Sequence, residues 1–305
     1  MLACLYHILG GILAMSTFDF ENNMKELTLK LEKYITDKNG DSILKGFVDS
    51  RGNLYPLTLD TKVLSKVVEF VFIPMINCFC KEKNYTLIEP PAQNYYPDLT
   101  IIDNLTKEKY AIDIKTTYRI SEKEFIFDKQ KYIFKQKRNT YQTFIKEADG
   151  SCTLNSKGDI VDHYLVIEDP FTQKVQETYN NLNKKIPVNG MTLGAYTGYF
   201  KNRLSTKNIV FPYSEYKKHY ILGMIYSRDE NEETKMERIE NYKNIQSPIY
   251  NIKMFFVEKY QIATKQTGSG NTKNIGSVKT EYFLINGIGE FQSVEEFDNY
   301  WLNKK

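Results

Sequence analysis

The sequence predicts an α/β (α+β) domain, helices packed around a mixed central β-sheet. Three observations carry that prediction. Apolar residues recur at helical spacing in the first eighty or so positions, before any long strand signal. Two β-branched runs then follow close together around residues 98–117. Further strand-like runs return after residue 219.

Residues 20–37 read as an amphipathic helix, with Met24, Leu27, Leu31, Tyr34 and Ile35 recurring among many charges. Lys38-Asn39-Gly40-Asp41 breaks it. Residues 43–57 read as a hairpin turning at Asp49-Ser50-Arg51-Gly52-Asn53. Asp60 or Thr61 is the expected N-cap of a helix reaching about Lys83, and Pro74 inside it predicts a kink or break. Residues 85–89 read as a strand that ends at Pro90-Pro91. Residues 98–102 and 110–117 read as two strands joined through a turn that starts at Asp103-Asn104. Residues 119–190 are rich in lysine, with a strand-like run at 164–167 and a helix-like run at 171–183. Strands are expected at 219–227 and 252–263, a Gly/Asn/Ser/Thr loop at 267–277, and a last helix over 293–302.

Composition sets limits and little else. The 305 residues are 41% hydrophobic and 26% charged, which is ordinary for a globular chain with a substantial core. A formal net charge of +3 is too small to identify a nucleic-acid binder, because a basic face can hide inside a balanced total. Cys4, Cys78, Cys80 and Cys152 have no zinc-site spacing and suit a reduced, cytoplasmic compartment. His7, His163 and His219 are scattered and give no Ser-His-Asp or His/Cys arrangement. Residues 1–15 are apolar, yet lack the basic front of a secretory signal and the roughly 20 residues of a membrane span. They read either as an interfacial tail or as an N-terminal extension upstream of a start at Met15. The polar, helix-capping residues 16–22 favour the second reading, and no membrane partner is expected.

The chemistry-bearing feature is Pro97-Asp98, fourteen residues, then Asp113-Ile114-Lys115. Asp113 and Lys115 are two apart on a strand and so share a face. Asp98 starts the neighbouring strand and can face the same point. Two carboxylates supply hard oxygen ligands for Mg²⁺, with Mn²⁺ as the expected substitute. The metal lowers the pKa of bound water and stabilises charge on phosphoryl oxygens. An ammonium beside the nucleophile orients water and offsets transition-state charge. An isolated Asp-x-Lys is more often an ion pair at a strand edge. Here the apolar setting of Ala111-Ile112-Asp113-Ile114 argues otherwise, since burying charge is costly. Glu69 on the preceding helix is a further candidate acid, against the simpler reading of a solvated helix face.

These residues are those of the PD-(D/E)-x-K nucleases, and the chain resembles more closely the EcoRV-like type II restriction endonucleases. The resemblance rests on Tyr55-Pro56, residues 60–65 with Glu69 and Pro74, Gln93-Asn94, Tyr96-Pro97-Asp98 and residues 111–118. It continues with Thr192-Leu193-Gly194, Tyr196-Thr197, residues 206–210, Gly268-Ser269-Gly270-Asn271-Thr272 and residues 274–277. It implies a restriction-endonuclease-like core in two halves, 16–118 with the active site and 191–305 with the recognition loop, around an insertion at 119–190. It implies metal ligation by Asp98, Asp113 and Glu69, with Lys115 as catalytic lysine. Residues 268–272 match a loop that enters the major groove, where Asn271 can pair with adenine and Thr272 can touch a thymine methyl. Gln93 and Asn94 match a loop near the minor groove, and Thr61, Lys62, Thr117 and Lys207 match positions near the DNA backbone. The implied function is Mg²⁺-dependent cutting of double-stranded DNA at a palindrome by a homodimer. GATATC or a relative, cut blunt to leave 5′-phosphate and 3′-hydroxyl, is the implied site. A cognate DNA methyltransferase is the implied functional partner.

Two departures stand out. The insertion at 119–190 holds the run 129–138, with five basic residues and no acid, which reads either as a grip on flanking phosphates or as a solvated face. The chain also ends at Lys305 where the family continues, so a different wrap around DNA is expected. The competing functions are a repair or structure-specific nuclease on the same core and a DNA-binding module without catalysis.

Overall fold

The computed structural model describes residues 2–38, 40–120, 123–128, 131–136, 140–144, 186–195, 200–228, 235–268 and 274–304, with backbone alone for 2–18, 123–128, 131–136, 140–144 and 195. Helix α1 spans Leu2–Ile35 and α2 spans Thr61–Glu82. Between them lies the hairpin β1 (Gly46–Val48) and β2 (Asn53–Pro56), in antiparallel register Phe47↔Tyr55. Asp60 caps α2, its carboxylate accepting from the backbone N–H groups of Lys62 at 2.9 Å and Val63 at 3.0 Å.

Five strands form the central sheet in the order β12-β10-β5-β4-β3. They are β3 (Tyr85–Ile88), β4 (Leu99–Asp103), β5 (Lys109–Tyr118), β10 (Tyr216–Arg228) and β12 (Ile249–Glu258). Only the β5–β10 pair is parallel; β3–β4, β4–β5 and β10–β12 are antiparallel, so the sheet is mixed as expected. Its two faces are covered differently. Ile112 and Ile114 of β5 face α1 and α2 in a core with Phe20, Leu27, Leu64 and Phe72. Ala111 faces a second core built from the C-terminal half, including Ile221, Phe255, Phe297 and Trp301. Period-two alternation therefore puts Asp113 and Lys115 on the Ala111 face.

That second face is crowded beside Lys115. Gly223 is the register partner of both Lys115 on β5 and Phe255 on β12. A Cβ on Gly223 would lie 2.1 Å from the Phe255 ring. We expect Gly223→Ala to destabilise the protein by about 1–3 kcal/mol through overpacking, read as a lower denaturant midpoint. An unchanged midpoint would mean that Phe255 moves aside freely.

The remaining elements differ from the sequence expectation in instructive ways. The first helix begins well before residue 20, and Tyr34, assigned to its apolar stripe, is exposed, whereas Phe20, Met24, Leu27, Leu31 and Ile35 are fully buried. Helix α2 is not broken at Pro74. The carbonyl deprived of a partner there belongs to Phe70, on the exposed side of the helix, where water can satisfy it. The single strand expected over 252–263 divides. β12 stops at Glu258, a helical turn α3 (Lys259–Ile262) follows, and β13 (Ala263–Thr267) resumes. A capping box between Glu258 and Gln261 forces the turn, the Glu258 N–H donating to Gln261 Oε1 at 2.9 Å. β13 pairs with β14 (Asn274–Ser277), which pairs in turn with β9 (Thr192–Ala195). Short helices α4 (Glu281–Ile285) and α5 (Val294–Asn303) complete the C-terminal half.

Within 119–190, β6 (Lys123–Asp128), β7 (Lys131–Gln136) and β8 (Thr140–Phe144) form an antiparallel sheet. The runs 164–167 and 171–183 lie outside the described residues. The segment leaves and returns at one point, because Arg119 pairs with Val188 and the Ile120 N–H reaches Pro187 O at 2.9 Å. Register sets Lys131 opposite Asp128 and Lys135 opposite Glu124. β11 (Glu237–Arg238) adds to β2 in a small outer sheet.

Candidate active site

The β4–β5 pair positions the carboxylates. Leu99 lies opposite Ile112, so the next pair outward is Asp98 and Asp113. The Asp98 carboxylate accepts from the Ile114 N–H at 2.8 Å and from Lys115 Nζ at 3.1 Å. The Asp98 N–H in turn donates to the Asp113 carboxylate. Two backbone hydrogen bonds thus cross-brace the acids before any ligand arrives.

A cleft of about 580 Å³ opens over them. Thr61, Lys62, Lys66 and Glu69 of α2, Gln93, Asn94, Asp98, Asp113, Lys115 and Thr117 all line it. The structure therefore brings together nine positions that the sequence singled out, drawn from α2, the β3–β4 loop and β5. Thr117 is buried and its hydroxyl donates to Gly190 O at 3.2 Å, so it is a wall of the cleft and not an open contact. Lys207 is exposed on a loop beside Tyr96 and does not line the cleft. Gly268 sits at the base of the β13–β14 hairpin, its N–H bonded to Asn274 O at 2.8 Å. Ser269, Gly270, Asn271 and Thr272 lie outside the described residues.

Each candidate acid is held by a lysine. Lys115 serves Asp98, Lys66 serves Glu69, and Lys259 reaches Asp113 at 2.9 Å. Burial alone would lower the Lys115 pKa, but Asp113 and Asp98 outweigh it and raise it, so Lys115 is an ammonium. Burial pushes the Asp113 carboxyl up while Lys115 and Lys259 pull it down further, leaving it below the usual carboxylate range. Burial raises Glu69, against the pull of Lys66. The donor chemistry, carboxylate oxygens in one cleft, fits a hard divalent cation. Among the described residues no three such ligands already converge as a finished metal site.

Lys259 is the residue that sequence reading missed. Its side chain is 3% exposed, and beyond Asp113 it donates to Tyr96 Oη at 2.8 Å. The Tyr96 hydroxyl then meets His219 Nδ1 at 2.8 Å, and His219 stacks on Tyr213 at 3.8 Å. Because Lys259 must donate, the Tyr96 proton points to Nδ1, which makes His219 a neutral acceptor. Burial, then the Lys259 and Arg203 charges, hold its pKa well below the ordinary 6.5. A depressed histidine stabilises the fold above its unfolded pKa and loses that contribution as pH falls below about 6.5. We expect the wild-type melting temperature to drop from pH 7 to pH 5 more than that of His219→Gln. Parallel profiles would remove His219 as the titrating group. A signal for Lys259 was available, since it follows the apolar run 254–257 in Met254-Phe255-Phe256-Val257-Glu258-Lys259.

A mixed sheet flanked by helices, whose antiparallel β4–β5 pair carries this acid–lysine cluster, is the restriction-endonuclease-like fold. The family described as restriction endonuclease EcoRV matches the chain over residues 38–167 and 168–305. The chain is also 31% identical to the type II restriction enzyme EcoRV of Escherichia coli over 271 residues, covering 88% of this chain and 84% of that protein. It belongs to the EcoRV restriction endonuclease family and is a type II site-specific deoxyribonuclease.

Proposed function

We propose that the protein hydrolyses both strands of double-stranded DNA at a short palindrome, using Asp98, Asp113, Lys115 and Glu69. The observation that carries this reading is that those four side chains line one cleft, together with Gln93 and Asn94. Mg²⁺, replaceable by Mn²⁺, would be held by Asp98 and Asp113 with Glu69 and would supply charge stabilisation and an acidified water. The protein's own part is positional. Asp98 orients the Lys115 ammonium, whose place beside both acids lets it offset charge on the phosphoryl oxygens. Residues 268–272, between β13 and β14 in sequence, are the proposed readers of the major groove, and Lys62 and Thr61 at the start of α2 the proposed contacts to the DNA backbone.

The proposed site is GATATC or a close relative, cut blunt to 5′-phosphate and 3′-hydroxyl ends. A homodimer suits a palindrome, and Phe47, Val48, Tyr55 and Tyr242, exposed on and beside the outer sheet, offer apolar surface for pairing. The proposed division is a core of 16–118 and 191–305 interrupted by 119–190, supported by the closure of that segment at Arg119 and Val188. The proposed setting is the cytoplasm, with a methyltransferase protecting host sites. Digestion of a sequenced plasmid with Mg²⁺, EDTA as control, followed by end sequencing, tests the reading. Discrete metal-dependent fragments with one shared end sequence are expected. A smear, or cutting at junctions only, would sink site-specific recognition.

A further inference from the structure

The three lysines paired with the candidate acids are not equivalent. Lys66 and Lys115 have side chains 35% and 26% exposed, which leaves them room to adjust when a divalent cation approaches their carboxylates. Lys259 has no such room. It is 3% exposed, it rises from the capped turn α3, and its ammonium is fixed between Asp113 Oδ2 and Tyr96 Oη. The same nitrogen lies 4.3 Å from the Tyr96 ring centre, which adds a cation–π contact. His219 and Tyr213 back the phenol, so the whole support is packed. One carboxylate oxygen of Asp113 is therefore permanently occupied by a protein cation.

We propose that Lys259 is a built-in counter-cation for Asp113, a positioning residue that fixes the direction of this carboxylate and restrains the affinity of the cleft for divalent metal. The inference rests on the reading of Asp113 as a metal ligand. An ammonium next to the ligand repels an incoming divalent cation, while its hydrogen bond limits the orientations that the carboxylate can take. Removing the charge therefore separates two properties that a purely structural residue would lose together. Metal binds more tightly, and the metal so bound is less productively placed.

The test is calorimetric titration of the full chain with Ca²⁺ alone, for wild type, Lys259→Met, Lys259→Gln and Asp113→Asn, beside single-turnover cleavage in Mg²⁺. Both Lys259 variants are expected to bind Ca²⁺ roughly tenfold tighter. Their cleavage is expected to fall on the order of a hundredfold through misplacement. Lys259→Gln, which keeps an N–H donor, should recover part of the cleavage lost in Lys259→Met. If Lys259→Met does not fold, the Gln variant carries the same comparison. Unchanged or weaker Ca²⁺ binding in the Lys259 variants overturns the inference. Asp113→Asn separates the two levels: wild-type Ca²⁺ affinity there would remove Asp113 as a ligand altogether. Lost affinity there, with Lys259 variants like wild type, would remove Lys259 alone.

Discussion

Asp113→Ala is expected to abolish DNA cleavage and, separately, to destabilise the protein by about 3–5 kcal/mol, the cost of leaving a buried charge unpaired. The stability loss follows from Lys259. With the carboxylate gone, an ammonium 3% exposed keeps Tyr96 Oη but loses its ion-pair partner. The catalytic loss follows from the proposed metal site, where one of two cross-braced acids disappears, and should reach roughly a thousandfold or more in single-turnover rate. Urea titration and cleavage assays read the two effects independently. Pairing the change with Lys259→Met should restore most of the stability and none of the cleavage. A single variant that keeps wild-type stability would mean that Lys259 finds another partner. One that keeps wild-type cleavage would remove Asp113 from the active site.

Arg119→Ala is expected to cost a similar 3–5 kcal/mol without touching the catalytic groups. The Arg119 side chain is 2% exposed and ties four segments together. Its Nε and Nη2 form a two-point pair with Glu281 of α4 at 2.7 and 2.8 Å. Nη1 donates to Asn251 O of β12 at 2.6 Å and to Ser227 Oγ of β10 at 3.2 Å. Arg119 thus fastens the base of the inserted segment to the C-terminal half, beyond the end of β5. Lysine cannot reproduce the planar fork, so Arg119→Lys should recover little. The double change Arg119→Met with Glu281→Leu should cost less than Arg119→Ala alone, because no charge is then left buried and unpaired. Denaturant midpoints decide the order. If Arg119→Ala and the wild type share a midpoint, the clamp contributes nothing.

Helices and central strands were legible because their signals are local. The cap at Asp60, the alternation of β5 and the apolar spacing of α1 each lie within a few residues of what they determine. The candidate site was legible for the same reason. Asp113 and Lys115 share a strand face, and Asp98 is brought opposite by the next antiparallel strand. Errors arose where a local rule was outweighed. Pro74 lies on a helix whose buried stripe of Leu64, Val68, Phe72 and Ile76 holds it together through the missing hydrogen bond. The expected strand over 252–263 ended at a capping box that looked like ordinary strand sequence.

The sequence by itself determined the mixed sheet, the acid–lysine trio and the family, because short-range periodicity and close spacing encode all three. Only the tertiary structure decided what surrounds the acids. Lys259 meets Tyr96 across 163 positions, Tyr96 meets His219 across 123, and Arg119 meets Glu281 across 162. No local periodicity links such distant residues. They are joined because the parallel β5–β10 pairing brings the two halves of the chain into one sheet, and a charge buried at that junction must find its partner there.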